Sequence, residues 1–132
     1  MAKKYFCLIF CLVFLAAGCA SLGHQERSTL RELKSVGISP TEQTIKNPYL
    51  AGGLNLFPGF GNFYLGIGAD EPVQILYGVL NFIFWPPSIL WGVPQATIDA
   101  VTLNKRETAF YYQFNPQGIS KLDALKKAHG QK

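Results

Sequence analysis

The chain is expected to be mainly α. An apolar leader precedes short polar helices, then a hydrophobic helical hairpin broken by glycine and proline, then a short C-terminal helix. Three observations predict this class. Leucines recur at helical spacing in both polar stretches, as in Leu30 and Leu33 and again in Leu122 and Leu125. Two stretches of 21 residues, Tyr49–Ala69 and Val73–Val93, carry no charge and are parted only by Asp70, Glu71 and Pro72. Helix start and stop signals bound the polar stretches, with Gly37 closing one, "SPTE" (Ser39–Glu42) opening the next and Ser120 opening the last. At 132 residues there is room for one small domain. The chain is 48% hydrophobic and 15% charged, against about 25% charged in an ordinary globular domain.

The formal charge of +4 does not form a patch. Lys3 and Lys4 lie at the extreme N-terminus, and without residues 1–18 ten basic residues face eight acidic ones. That balance is too slight and too scattered for a nucleic-acid partner.

Residues 1–18 read as a targeting segment. After Lys3 and Lys4 comes "YFCLIFCLVFLAA" (Tyr5–Ala17), 13 apolar residues, where a membrane span needs about 20. The small residues Ala16, Ala17 and Gly18 follow, as a signal peptidase requires. A retained anchor helix is the competing reading. Cys7 and Cys11 would leave with the leader, so Cys19 would stand without a disulfide partner in an exported protein.

The run "LAAGC" (Leu15–Cys19) resembles the lipobox of bacterial lipoproteins. That resemblance implies cleavage between Gly18 and Cys19, a diacylglyceryl group on the Cys19 sulfur, and N-acylation of the new amine by a fatty acid such as palmitate. No other cofactor is expected. One acyl chain binds a membrane only marginally, whereas two or three on one residue hold firmly. Ala20 stands where an aspartate would signal inner-membrane retention. The implied location is therefore the cell envelope, with the outer membrane facing the periplasm in a Gram-negative cell.

Residues 19–47 are expected to be a lipidated N-terminus and polar tether. "ERSTLRELKSVG" predicts a helix ending at Gly37. "SPTE" predicts a second, with Ser39 as N-cap, Pro40 at the first position and Glu42 completing a capping box, ending near Asn47 before Pro48. Arg27, Arg31 and Lys34 interleave with Glu26 and Glu32, a solvated face in the simpler reading and a phospholipid-facing basic stripe in the other.

Residues 48–104 are the hydrophobic unit. Either charge-free stretch is long enough to cross about 30 Å of hydrocarbon as a helix. Gly52, Gly53, Pro58, Gly59 and Gly61 would weaken or kink the first, and Pro86 and Pro87 divide the second, leaving one helix from about Val73 to Trp85 and another from near Pro87. Broken helices survive in a bilayer only where protein groups satisfy the freed backbone. A compact unit lying in the membrane surface therefore competes with a spanning hairpin, and the tyrosines and tryptophans suit that depth. Lys46, Lys105 and Arg106 would flank a hairpin on one side, which the positive-inside rule makes cytoplasmic, whereas a lipidated Cys19 lies outside. Two resolutions exist: the chain is fully exported and its hairpin never crosses the inner membrane, or "LAAGC" is not a processing signal. The first is preferred, since polar Asn55, Asn62, Gln74 and Asn81 would ease passage.

"FGNFYLGIG" (Phe60–Gly68), followed by a tryptophan-containing helix and Asp99 in "TIDA", is similar to the bacterial TM2 domain. The similarity covers about Pro48 to Thr102. It implies two membrane helices joined by a short turn and no defined reaction.

Residues 105–132 are expected to be a polar tail. "VTLNKRETAFYYQF" (Val101–Phe114) could extend the helix carrying Asp99 or form a short strand, with a helix to about Lys105 the preferred reading. "NPQG" (Asn115–Gly118) should turn, and Ser120 should cap a terminal helix.

Catalytic residues are not expected. His24 and His129 have no second soft ligand nearby in sequence, so no metal site is expected either, and no base is placed to activate a serine. The glycines of "GFGNFYLG" lack the dinucleotide-binding pattern, since position 64 is Tyr64. Asp99 is the candidate functional intramembrane carboxylate, because a carboxylate on an apolar helix is costly in lipid. Its competing reading is exposure, or pairing with Lys105 or Arg106. Phe60, Tyr64, Trp85 and Trp91 are the candidate interface aromatics. The composite expectation is a non-enzymatic envelope lipoprotein, structural or accessory, with membrane lipid as partner and no small-molecule substrate. Its alternatives are a subunit of a larger envelope complex that docks through the aromatic hairpin, and a lipid-binding module.

Overall fold

The computed structural model describes residues 20–69 and 71–130. The cleavage and acylation positions Gly18 and Cys19, and the turn residue Asp70, lie outside them. The described residues form six helices and no strand: α1 His24–Ser35, α2 Pro48–Leu54, α3 Phe60–Gly66, α4 Pro72–Ile83, α5 Ile89–Phe114 and α6 Pro116–Ala128. The helical class is as expected. No helix among the described residues is long and apolar enough to cross a membrane. Each charge-free stretch is instead two shorter pieces, broken at Asn55–Gly59 and at Phe84–Ser88.

The chain divides into two compact units. The first holds Ala20 and residues 48–100; the second holds residues 21–47 and 101–130, so the expected tether and tail fold together. Helix α5 contributes its first part to one and its second part to the other.

In the first unit, α2, α3 and α4 pack at backbone distance. Gly59 has φ +84°, and a Cβ there would lie 2.1 Å from the Gly78 carbonyl oxygen. At Gly61 a Cβ would lie 2.1 Å from the Ala51 carbonyl. These glycines permit an approach that any side chain forbids.

The second unit has a conventional apolar core: Leu30, Leu33, Val36 and Ile38 pack with Ala109, Tyr112 and Leu122. Helix α1 starts where the Gly23 N–H donates to the Glu26 carboxylate at 2.6 Å, and the chain leaves it through Gly37 at φ +81°. The expected second polar helix does not form; residues 36–47 are turns and irregular backbone. The Glu42 carboxylate does not cap a helix at Ser39 but accepts from the Tyr112 hydroxyl at 2.8 Å and from Lys121. The backbone N–H groups a helix would have used go to side chains of α5. Gln43 donates to Thr108 Oγ1 at 3.0 Å, and Ile45 and Lys46 donate to Asn104 Oδ1 at 3.0 and 2.9 Å.

Two further boundaries differ from expectation. Helix α5 continues past Lys105 to Phe114. The turn at "NPQG" shrinks to one residue: Asn115 caps α6 by accepting from the Gln117 N–H at 2.9 Å, with Pro116 at the first position. Ser120 therefore lies inside the helix rather than at its cap.

Candidate functional site

The first unit reverses the usual distribution of polarity. Its buried side chains are mostly polar: Asn55, Asn62, Gln74, Asn81, Ser88, Gln95 and Asp99, beside Leu65 and three alanines. Its outside is apolar. Every large exposed hydrophobic residue of the described chain belongs to it except Ile45, Phe110, Phe114 and Ile119. Tyr49 is 89% exposed, Leu90 82% and Phe57 70%. No lysine or arginine occurs between residues 48 and 100.

The interior is one continuous hydrogen-bonded chain of amides. Asn62, on α3, is its hub. Its Oδ1 accepts from Asn55 Nδ2 at 2.8 Å and from Asn81 Nδ2 at 2.9 Å. Its Nδ2 donates to Gln74 Oε1 at 2.9 Å. Asn55 also ties the break after α2 in place, accepting from the Gly61 N–H at 3.0 Å and donating to the Gly92 carbonyl at 2.6 Å. Asn81 Oδ1 accepts from the Trp91 indole at 2.9 Å, and Ser88 donates to the Asn81 carbonyl at 2.8 Å. Gln74 Nε2 passes the chain to Asp99 Oδ2 at 2.8 Å. Among the described residues no buried side-chain nitrogen or oxygen is left without a partner.

Asp99 ends the network, fully buried. Its other oxygen accepts from the backbone N–H of Ala20 at 2.6 Å, and Gln95 also bonds to it. Burial pushes the carboxyl above its ordinary range; the bonds from Gln74, Ala20 and Gln95 pull it back, and Glu71 adds a small upward push. Neither exposure nor pairing with Lys105 or Arg106 describes this residue: it is fully buried, and neither cation is among the groups that act on its carboxylate. Ala20 immediately follows Cys19, so the network closes on the residue beside the expected acylation position.

The four aromatic candidates divide. Phe60 and Trp85 are exposed, Tyr64 is half-buried, and Trp91 is half-buried with its indole bonded inward. Phe60 sits edge-on between Phe57 and Phe63, at 6.3 and 6.4 Å. In sequence, Asn55, Asn62, Gln74 and Asn81 read only as residues that dilute hydrophobicity. A signal for their convergence exists: Gln74, Gly78 and Asn81 follow an i, i+4, i+7 spacing that puts polar and small residues on one face of α4. That face points inward.

No group of three or more histidine, cysteine, aspartate or glutamate side chains that could hold a metal ion occurs among the described residues. Comparison of the chain with family models, with curated proteins and with solved structures finds no match.

Proposed function

We propose that the mature protein is a non-catalytic, lipid-anchored accessory protein of the bacterial envelope, held by acyl chains on Cys19 and by its first unit seated in the lipid surface. The observation that carries this reading is the amide interior beneath an apolar exterior. In water, exposing that much contiguous apolar surface is unfavourable, because large exposed patches require a cover. In a lipid environment the requirement reverses: apolar side chains face outward, and every backbone and amide group must be satisfied within the protein. Two observations support this reading: the large apolar side chains of the first unit face outward, and its buried side-chain amides are hydrogen-bonded among the described residues. Its short helices suit one leaflet or the interface better than a crossing. Trp85 and Tyr49, amphipathic and exposed, suit the headgroup boundary.

The lipobox resemblance supplies the tether, and the Ala20–Asp99 bond supplies its mechanical connection. That bond holds Ala20, the residue after Cys19, to the unit that faces lipid in this reading. The test is Cys19→Ala, with metabolic fatty-acid labelling and membrane fractionation. The wild-type chain incorporates label and migrates as the processed form. The variant takes up none and stays as precursor. Equal labelling of both would remove Cys19 as the acylation residue.

A further inference from the structure

We infer that the second unit carries a binding site for the phosphate headgroup of an anionic glycerophospholipid, in the groove between α1 and the Lys105 turn of α5. The inference rests on the lipid-anchored reading above for its choice of ligand source. The groove has a volume of about 310 Å³, at the lower end of small-ligand clefts. Four cations line it: Arg27, Arg31 and Lys34 from α1, and Lys105. The three on α1 follow an i, i+4, i+7 spacing and form one stripe. Leu22 and Leu30 give the groove an apolar floor.

What makes this a site rather than a solvated face is where the carboxylates go. On α1 the two glutamates point elsewhere: Glu26 pairs with Arg106, and Glu32 pairs with Lys126. No acidic residue lines the groove, and Arg31, Lys34 and Lys105 make no ion pair with any described carboxylate. Arg27 is positioned by its Nε, which donates to the Leu22 carbonyl at 3.0 Å. Its terminal guanidinium nitrogens are left to meet a phosphate oxygen. The choice between a solvated stripe and a phospholipid-facing one thus turns on the placement of the glutamates.

A free phosphate would satisfy the same cations. Two features favour a lipid headgroup. The leucine floor matches the glycerol and first methylenes beneath the phosphate. Leu22 also lies three residues after Cys19, a contour of at most about 11 Å. An acylated Cys19 therefore keeps the groove close to the leaflet surface, where the field of anionic headgroups decays over about 8 Å in physiological salt.

The test uses the full processed chain in a neutral detergent and native mass spectrometry with phosphatidylglycerol, phosphatidylcholine or inorganic phosphate added. The wild-type chain should form a saturable one-to-one adduct with phosphatidylglycerol and not with phosphatidylcholine. The double substitution Arg31→Gln and Lys34→Gln should weaken it about 30-fold. Lys127→Gln with Lys132→Gln, an equal loss of charge in the C-terminal segment, should leave it unchanged. Helical circular dichroism checks that each variant is folded. Equal adducts with both lipids, or an unchanged adduct in the Arg31/Lys34 variant, would overturn the site. Displacement by equimolar inorganic phosphate would overturn the lipid assignment. The intact mass at Cys19 in the same spectra reads acylation separately, so failure of the anchor and failure of the groove are told apart.

Discussion

At the scale of single residues, Asp99 carries the most consequence. A buried carboxylate with no cationic partner survives because three donors converge on it: the Gln74 amide, the Ala20 N–H and Gln95. Burial still outweighs them and raises its proton affinity. The folded state then holds this proton more tightly than the unfolded chain does. Stability contributed here is greatest at low pH and falls as pH rises from the ordinary carboxylate value through the raised one. Glu42 has the opposite sign. The Lys121 ammonium and the Tyr112 hydroxyl lower its proton affinity against a weaker upward push from burial. Its contribution is present above the ordinary carboxylate value and is lost as pH falls through the lowered one. Unfolding of the detergent-solubilised chain, followed against pH, should therefore show a decline above the ordinary carboxylate range that Asp99→Asn removes. Asp99→Asn should leave the acid-side loss from Glu42 intact. A decline that persists in Asp99→Asn would assign it to another group.

At the scale of elements, the helices are legible in the sequence wherever one local signal decides them. The leucine spacing of α1 and its stop at Gly37, the breaks near Pro58 and at Pro86–Pro87, and the start of α4 at Pro72 all follow from nearest neighbours along the chain. The expected Ser39–Asn47 helix is not decided locally. Its capping glutamate finds Tyr112 and Lys121, some 70 and 79 residues away, and its backbone donors find Thr108 and Asn104. Nothing within "SPTEQTIKN" announces those partners. Asn104 stands out because one buried amide accepts from two successive N–H groups and donates to the Lys46 carbonyl at 2.7 Å. Removing it strands backbone groups whose desolvation costs about 1–3 kcal/mol each. Asn104→Ala should thus cost about 3 kcal/mol in chemical denaturation, with hydrogen exchange at Ile45 and Lys46 accelerated. A change below about 0.5 kcal/mol, the range of an inert surface substitution, would mean that water replaces the amide without loss.

At the scale of the whole molecule, the distribution of charge alone divides the chain into a charged part and a nearly charge-free part. Every lysine and arginine after residue 18 lies in 21–47 or 101–132, and every residue between Asn47 and Asp99 is uncharged apart from Asp70 and Glu71. Hydropathy makes that partition legible. It does not reveal that the charge-free part has a polar inside, because the convergence of Asn55, Asn62, Gln74 and Asn81 depends on α2, α3 and α4 meeting through glycine contacts. Residue spacing along any one helix gives only a hint of it. An apolar exterior can be covered by lipid or by a partner protein, and the two covers differ in what they bring to an exposed indole. Trp85 is 59% exposed, while Trp91 is turned inward to Asn81. In a Trp91→Phe variant, Trp85 reports alone, since the chain has two tryptophans. Reconstituted in vesicles whose acyl chains are brominated near the headgroup, its fluorescence should fall steeply, and less so when the bromines sit near the bilayer centre. This depth order follows from the proposed seating of the short helices in one leaflet. Quenching strongest at the centre would favour a deeper, crossing arrangement, and its absence at both depths would mean that protein, not lipid, covers the aromatic face.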